Sequence, residues 1–291
     1  MGPSNIEVAL VAVAGVLAIL LVWQLAWALV RVSPSAFRSA ARWVANSSAW
    51  TRMHPLRAAL QQRFPKTYFF VEARFDAKRF AGLPLTLLIA AALYAISLLG
   101  GLIDELLESK GAIAFDSAVN RAVDRYRTTP LVPVFAWITN LGDSAALVGV
   151  ALVATGFLWA HRRTPFVFPL WAAILGSQLT TWLGKFGFDR PRPDFVTAVT
   201  AISPAFPSGH ATGAMAVYGF IAYAIARDLR FRRSRFEITF WTLMVVALIG
   251  FSRVFLSVHH ATDVLAGFLV GGFWLLVAVT LTEFARERAR R

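Results

Sequence analysis

Three polar clusters interrupt the apolar second half of this sequence, and the types of residue in them suit phosphate chemistry. Cations can hold a phosphate, a hydroxyl and backbone amides can hydrogen-bond it, and separated histidines can carry out nucleophilic attack and proton transfer. The candidate residues are Lys185, Arg192, Ser208, Gly209, His210, Arg253, His259 and Asp263. Their combination predicts a site that binds and transfers a phosphoryl group.

The basic and small residues predict where the phosphate would bind. Lys185, Arg192 and Arg253 can neutralise the charge spread over a phosphoryl group, and an arginine can do so with two parallel hydrogen bonds. Ser208 and Gly209 lie where a loop turns into an apolar segment. Backbone N–H groups at the start of a helix bind anions, and glycine allows the ligand to approach closely.

The two histidines predict complementary roles. His259 and Asp263 are four residues apart, so on a helix they share a face. The carboxylate can hold one imidazole nitrogen as N–H and leave the other free as a nucleophile or base. His210 would then supply a proton to the leaving group. His260 is the competing candidate, because it lies three residues from Asp263 and could share its face.

The order and spacing of these clusters resemble the signatures of the type 2 phosphatidic acid phosphatase family. Six residues separate Lys185 from Arg192-Pro, and a Pro-Ser-Gly-His run follows. Five residues then separate Ser-Arg253 from His259, and three separate His259 from Asp263. The resemblance covers about residues 81–285. It implies a metal-free and cofactor-free mechanism in which a histidine is transiently phosphorylated and then hydrolysed.

The resemblance also implies a role for each matching residue. It makes His259 the nucleophile, Asp263 the residue that orients it and His210 the acid. The implied phosphate binders are Lys185, Arg192, Ser208, Gly209 and Arg253. A metal site is the chemical alternative, but the basic residues crowd the same place, would repel a divalent cation and would replace it on the phosphate oxygens.

Composition indicates a membrane protein with several spans. The chain has 291 residues, 57% of them hydrophobic, and a net charge of +13. Its basic residues cluster between apolar runs, as loop charges do under the positive-inside rule, so nucleic acid is not expected as a partner. The absence of cysteine excludes disulfides and thiol chemistry.

The apolar runs predict an all-α integral membrane protein: a six-helix transmembrane phosphatase core preceded by one extra N-terminal transmembrane helix. The predicted spans are residues 6–30, 83–103, 131–160 with a break near 140–143, 165–183, 209–226, 238–255 and 261–281. Residues 1–80 would form an anchor with a basic linker, 81–285 the core and 286–291 a basic tail. A retained anchor is favoured over a cleaved signal peptide, because residues 1–5 lack positive charge.

Two polar segments are predicted to lie at the membrane surface. Residues 31–80 combine basic and aromatic residues, which is typical of interfacial helices on anionic lipid. A docking site for a protein partner is the alternative. Within residues 104–130, helical spacing of apolar residues from Phe115 to Tyr126 predicts a short amphipathic helix.

Charge predicts the orientation. Residues 31–80, 161–164, 227–235 and 286–291 carry most of the 29 lysine and arginine residues and are expected in the cytoplasm. Seven spans then place the N-terminus outside, the C-terminus inside and the three clusters on the outer, or periplasmic, face of the cell (inner) membrane.

The sequence therefore predicts a membrane phosphatase that acts on a lipid phosphate or diphosphate at the outer face, with polyprenyl diphosphate ranked first. Two alternatives stay open. A lipid phosphotransferase would pass the phosphoryl group to an acceptor lipid instead of water, and a non-enzymatic lipid transporter or scaffold would keep the fold without turnover.

Overall fold

The computed structural model describes residues 5–48, 52–77, 79–108, 111–127, 130–193 and 203–289, and these residues form helices and connecting turns without a strand. The helices are α1 (Asn5–Ala45), α2 (His54–Arg63), α3 (Pro65–Arg74), α4 (Leu83–Glu108), α5 (Gly111–Asp124), α6 (Leu131–Thr139), α7 (Ser144–Ala160), α8 (Val167–Phe188), α9 (Gly209–Ala226), α10 (Arg232–Phe255) and α11 (Ala261–Ala289).

The all-helical transmembrane architecture predicted from the sequence is confirmed. Among the described residues, five helices are long and apolar enough to cross a membrane: Ile6–Ser33 within α1, Thr164–Phe188 comprising α8 and the short turn before it, α4, α10 and α11. The pair α6 and α7 makes a sixth candidate, bent by 49° at the break that the sequence predicted near residues 140–143. A short 3-10 turn, Asn140–Gly142, joins the two halves.

The seventh predicted span, α9, is a helix of 18 residues that is not among these six candidates. It packs against α8, α10 and α11, and about half of its residues are buried. A helix enclosed by other helices does not need lipid-facing apolar side chains, and α9 is accordingly rich in Gly and Ala. By length and hydropathy alone, α9, which packs between other core helices, is therefore not counted as a membrane span.

Two glycines of α11 allow it to approach α9 closely. A Cβ on Gly267 would lie 2.7 Å from the Ser208 carbonyl oxygen, and one on Gly271 would lie 2.4 Å from the Thr212 carbonyl oxygen. Small residues four apart form this kind of close seam between membrane helices. The seam fixes the start of α9 directly against the start of α11.

Two compact units divide the chain, residues 12–88 and the remainder. In the first unit, α2 and α3 form within the basic segment predicted to be interfacial, while α1 continues to Ala45, beyond the apolar stretch that ends at Ser33. Thr86 Oγ1 donates to the Arg74 carbonyl (3.1 Å), and the Leu83 N–H donates to the Asp76 carbonyl (2.9 Å). These bonds tie the end of α3 to the start of α4.

Candidate active site

His259 lies in a tight turn between α10 and α11. The backbone N–H groups of Val258 and His259 donate to the Arg253 carbonyl at 3.1 and 3.3 Å. Ser257 adopts a φ of 56°, a left-handed conformation that costs a non-glycine residue energy and is often kept at functional sites. The turn leaves the His259 side chain 2% exposed.

Asp263 lies against one nitrogen of that imidazole. Its Oδ2 is 3.5 Å from His259 Nδ1 and accepts the backbone N–H of His260 at 2.8 Å. Asp263 is fully buried, and its position in the first turn of α11 suits a carboxylate. This arrangement favours the tautomer with hydrogen on Nδ1, which leaves the Nε2 lone pair available.

Arg192 lies on the other side of the ring. Its Nη1 is 3.5 Å from His259 Nε2 and donates to the Val258 carbonyl, while its Nε donates to the Ser203 carbonyl at 2.8 Å. Burial lowers the pKa of Arg192, and the Asp263 charge opposes that shift. Burial also lowers the pKa of His259 to about 3; the neighbouring Asp263 carboxylate opposes this shift, and repulsion from Arg192 adds to it.

Two further cations complete the predicted phosphate site. Lys185, near the end of α8, donates to Ser203 Oγ at 3.0 Å and to the Pro204 carbonyl at 2.6 Å. Arg253, near the end of α10, is 4% exposed and donates to Thr139 Oγ1 at 2.8 Å. Its Nε is buried without a hydrogen-bond partner among the described residues.

The start of α9 supplies the hydroxyl and backbone donors. Ser208 precedes the helix in an extended conformation, and its N–H donates to the Asp263 carbonyl at 3.0 Å. Its Oγ is fully buried and has no hydrogen-bond partner within the described part of the chain. A Cβ on Gly209 would approach nothing closer than Thr181 Cγ2 at 3.7 Å, so the backbone there leaves room for a ligand.

His210 follows on the first turn of α9. Its Nε2 lies 2.8 Å from Asp143 Oδ1, a contact at ion-pair distance without hydrogen-bond geometry. Asp143 precedes α7 and is more than half exposed, so a small rotation of its side chain would free the imidazole for a substrate atom. Asp143 therefore provides a negative charge beside His210.

One cavity of about 640 Å³ brings most of these groups together. From the predicted set, its walls include Lys185, Arg192, Gly209, His210, Arg253 and His259. Ser208 and Asp263 lie behind this wall. Leu179, Trp182 and Phe186 of α8 continue the cavity as an apolar surface and are all more than half exposed. The cavity thus joins a cationic end to an apolar side.

Metal ligands do not cluster in this region: the structure, over the residues it describes, contains no group of three or more His, Cys, Asp or Glu side chains arranged to hold a metal ion. The charges that face the cavity are instead the cations Lys185, Arg192 and Arg253.

Sequence reasoning did not assign several residues that hold the site. Asp116, Thr139, Thr262 and Ser203 all bond directly to predicted site residues or their neighbours. The sequence does indicate a structural role for Asp116. It lies three residues before Val119 and seven residues before Val123, on the apolar face of α5. A carboxylate on such a face calls for a buried partner.

Comparison with known proteins indicates the family of the chain. Residues 165–287 match the model of the PAP2 superfamily. The chain is 34% identical over 163 residues to phosphatidylglycerophosphatase B of Bacillus subtilis (strain 168), covering 54% of this chain and 77% of the relative. It is 31% identical over 157 residues to lipid A 4'-phosphatase of Porphyromonas gingivalis, covering 49% and 62%.

A solved structure has a similar fold. The crystal structure of a transmembrane PAP2 type phosphatidylglycerolphosphate phosphatase from Bacillus subtilis aligns with a TM-score of 0.58 at 28% identity. The alignment covers 69% of this chain and 96% of the solved one.

Proposed function

The chain belongs to the PAP2 superfamily of phosphatases, and from that premise we propose that it removes a phosphate from a membrane lipid through a phosphohistidine formed on His259. One observation carries the proposal. His259 lies between a carboxylate at Nδ1 and a guanidinium at Nε2, on the wall of a cavity that two further cations and a second histidine share.

The first half of the reaction follows from these positions. Lys185, Arg192 and Arg253 hold the phosphoryl oxygens, and His259 Nε2 attacks phosphorus as Asp263 retains the proton on Nδ1. The P–N bond forms while the bond from phosphorus to the lipid oxygen breaks. With a lipid monoester, the lipid oxygen takes a proton from His210, so the released product is neutral at that oxygen.

In the hydrolysis step His210 acts as a base instead of an acid. Water attacks the phosphohistidine, a proton from the water passes to His210, and the P–N bond breaks to release inorganic phosphate. Backbone N–H groups at the start of α9, where Gly209 lines the cavity, stabilise the transferring group, and Ser208 Oγ lies directly behind them. The three cations supply the charge that a metal supplies in other phosphatases, which supports a metal-independent reaction.

The cavity supports a substrate with a charged head and an apolar tail. The exposed α8 side chains Trp182 and Phe186 would contact the tail where it meets the lipid. We rank polyprenyl diphosphate first, because three cations match the charge of a diphosphate. Phosphatidylglycerol phosphate is the second substrate to test, since the names of two similar proteins concern this lipid.

The proposal includes an orientation. The site lies where α8 and α10 end and α9 and α11 begin, whereas the basic loop of residues 227–235 joins α9 to α10 at their other ends. The positive-inside rule assigns that loop to the cytoplasm and the site to the outer face of the cell membrane. We also propose that basic residues in α2 and α3 contact anionic lipid, with a protein partner as the alternative.

Phosphate release from a panel of lipid phosphates and diphosphates in detergent, with a chelator present, tests the reaction. We expect turnover that the chelator does not lower. Loss of activity that Mg²⁺ restores would contradict metal independence. Phosphorylated acceptor lipid in place of free phosphate would indicate a phosphotransferase, and lipid binding without any phosphate release would indicate a transporter or scaffold.

A matched pair of variants tests the nucleophile. His259→Gln should abolish phosphoenzyme formation on every substrate, while His260→Gln, one residue away, should keep it. The opposite result would transfer the role to His260. Acid hydrolyses phosphohistidine, so the reaction is quenched without acid. Labelled phosphate that stays on the protein then measures the intermediate directly.

Single cysteines test the orientation, since the natural chain contains none. Arg125→Cys lies in the loop after α5 and Arg230→Cys in the loop after α9, and both positions are exposed. In intact cells an impermeant thiol reagent should label position 125 and not position 230. Labelling at 230 alone would reverse the proposed orientation.

A further inference from the structure

Arg190 lies between Lys185 and Arg192 in sequence, but its guanidinium contacts carboxylates and does not line the cavity. Its Nη1 donates to Asp263 Oδ1 at 2.5 Å and to Thr262 Oγ1 at 2.7 Å, and its Nη2 donates to Asp116 Oδ2 at 2.8 Å. Two carboxylates therefore share the charge of Arg190, in contrast to the three cations that face the cavity.

Asp116 holds the other side of this network from α5. It is 4% exposed and accepts the backbone N–H of Thr262 at 3.0 Å and the Thr262 hydroxyl at 2.6 Å. These bonds cap the first turn of α11 with a carboxylate from another helix, where the helix dipole favours negative charge. Asp116 thus fixes both Arg190 and the backbone next to Asp263.

The bonds of Asp263 show what this fixation does. Arg190 holds Oδ1, and the His260 N–H holds Oδ2. With both oxygens held, the carboxylate cannot rotate about its own bond without losing a charged hydrogen bond. Oδ2 therefore stays directed toward His259 Nδ1, 3.5 Å away.

We propose that Arg190 and Asp116 are positioning residues, which act through Asp263 to orient His259 and do not bind phosphate. The inference rests on the proposed role of His259 as nucleophile. It assigns a function in catalysis to α5, a helix that precedes the three sequence clusters.

The proposal predicts that the loss of Arg190 lowers kcat and leaves KM nearly unchanged. Loss of Arg190 leaves Lys185, Arg192 and Arg253 on the phosphate, so substrate binding persists while the chemical step slows. We expect Arg190→Gln to lower kcat by roughly 10–100-fold, the scale of an ångström of misplacement, with KM within about twofold of the natural protein. Arg190→Lys should recover part of kcat, because it restores one charged hydrogen bond to Asp263.

The role of Asp116 is tested by comparing the loss of kcat in the two single variants with the loss in the double variant. Asp116→Asn keeps the size of the side chain and the Oδ1 acceptor for the Thr262 N–H, and it removes the charge opposite Arg190. It should lower kcat less than Arg190→Gln does. The double variant should then be no slower than Arg190→Gln alone, because Asp116 acts through Arg190.

The experiment uses the full chain in detergent with dioleoyl phosphatidic acid in mixed micelles, and a thermal unfolding curve for each variant. Arg192→Gln is the comparison for a phosphate binder and should raise KM. Unchanged kcat with raised KM in Arg190→Gln would overturn the proposal, as would additive losses in the double variant. His259→Gln is run in parallel: activity there would refute the proposed nucleophile, whereas an inactive His259→Gln beside a fully active Arg190→Gln would refute the positioning role alone.

Discussion

Replacing Gly267 with alanine tests whether the close seam between α9 and α11 positions the phosphate site. The added Cβ would lie 2.7 Å from the Ser208 carbonyl oxygen, 2.9 Å from Ala211 Cβ and 3.2 Å from the Thr212 nitrogen. Carbon atoms pack at about 3.5–4.0 Å, so the two helices must separate by roughly half an ångström or more. Backbone atoms form two of the three contacts, so a side-chain rotation cannot relieve them.

The magnitude follows from two opposing effects. Overpacking in a well-packed core costs about 1–3 kcal/mol, whereas alanine in a helix gains about 0.5–1 kcal/mol over glycine. We therefore expect a net loss of stability of roughly 0–2.5 kcal/mol. The larger effect is on activity: Ser208 and Gly209 move away from His259, and a misplacement of this size costs up to about 10²-fold in rate.

Gly272→Ala provides the matched control. Gly272 lies on the same helix, and a Cβ there would meet nothing within 4 Å. The assays are phosphate release at saturating substrate and thermal unfolding in detergent. We expect Gly272→Ala to keep full activity and a stability equal to or above that of the natural protein. If Gly267→Ala matched Gly272→Ala in both measurements, the argument that the seam positions the site would be refuted.

Three further outcomes follow from the site. His210→Ala should impair lipid monoesters by roughly 10²–10⁴-fold in single-turnover assays and lipid diphosphates much less, because a phosphate leaving group departs without a proton; equal losses would make His210 a phosphate binder. The imidazole NMR signals that disappear in His259→Gln should not titrate between pH 5 and 8, because burial lowers the pKa of His259 to about 3. The unfolded chain takes up that proton near pH 6.5, so this group destabilises the fold as pH falls from 6.5 towards 3, and titration near 6.5 in the folded protein would contradict its burial. At Ser257, where φ is 56°, Ser257→Gly should keep activity while Ser257→Val lowers both activity and the unfolding temperature, since a β-branched residue strains a left-handed position; tolerance of valine would show that the turn is free to change.

The sequence predicted the helical membrane architecture well because apolar runs and charged loops follow directly from the bilayer as solvent. The break between α6 and α7 was also predicted, from the polar residues around Asn140 and Asp143. The bounds predicted for α9, residues 209–226, match the helix, although it is not among the membrane-span candidates because burial among helices replaces lipid contact. α1 continues as a helix to Ala45, beyond the predicted span of residues 6–30, since a helix can continue past its apolar stretch.

For the site, spacing predicted which residues would meet and could not predict what holds them. His259 and Asp263 are near in sequence, so helical geometry alone joins them. The contact between Arg190 and Asp116 spans 74 positions and joins α5 to the loop after α8, so no local pattern encodes it. The sequence also does not show which way each side chain points. Arg190 and Arg192 are two residues apart, yet Arg190 contacts carboxylates and Arg192 faces the cavity.

The distribution of the site over helix ends has a consequence for biosynthesis. As the chain emerges from the ribosome, Lys185, Arg190, Arg192 and Arg253 enter the membrane before α11, the helix that brings Asp263. Until α11 inserts, Arg190 has Asp116 but lacks its second carboxylate, and the start of α9 lacks the helix that packs against it. A chain that stops before Ala261 therefore holds uncompensated positive charge beside lipid, a state that is costly and that quality-control proteases can recognise. Insertion of α11 is therefore the step that supplies Arg190 with its second carboxylate.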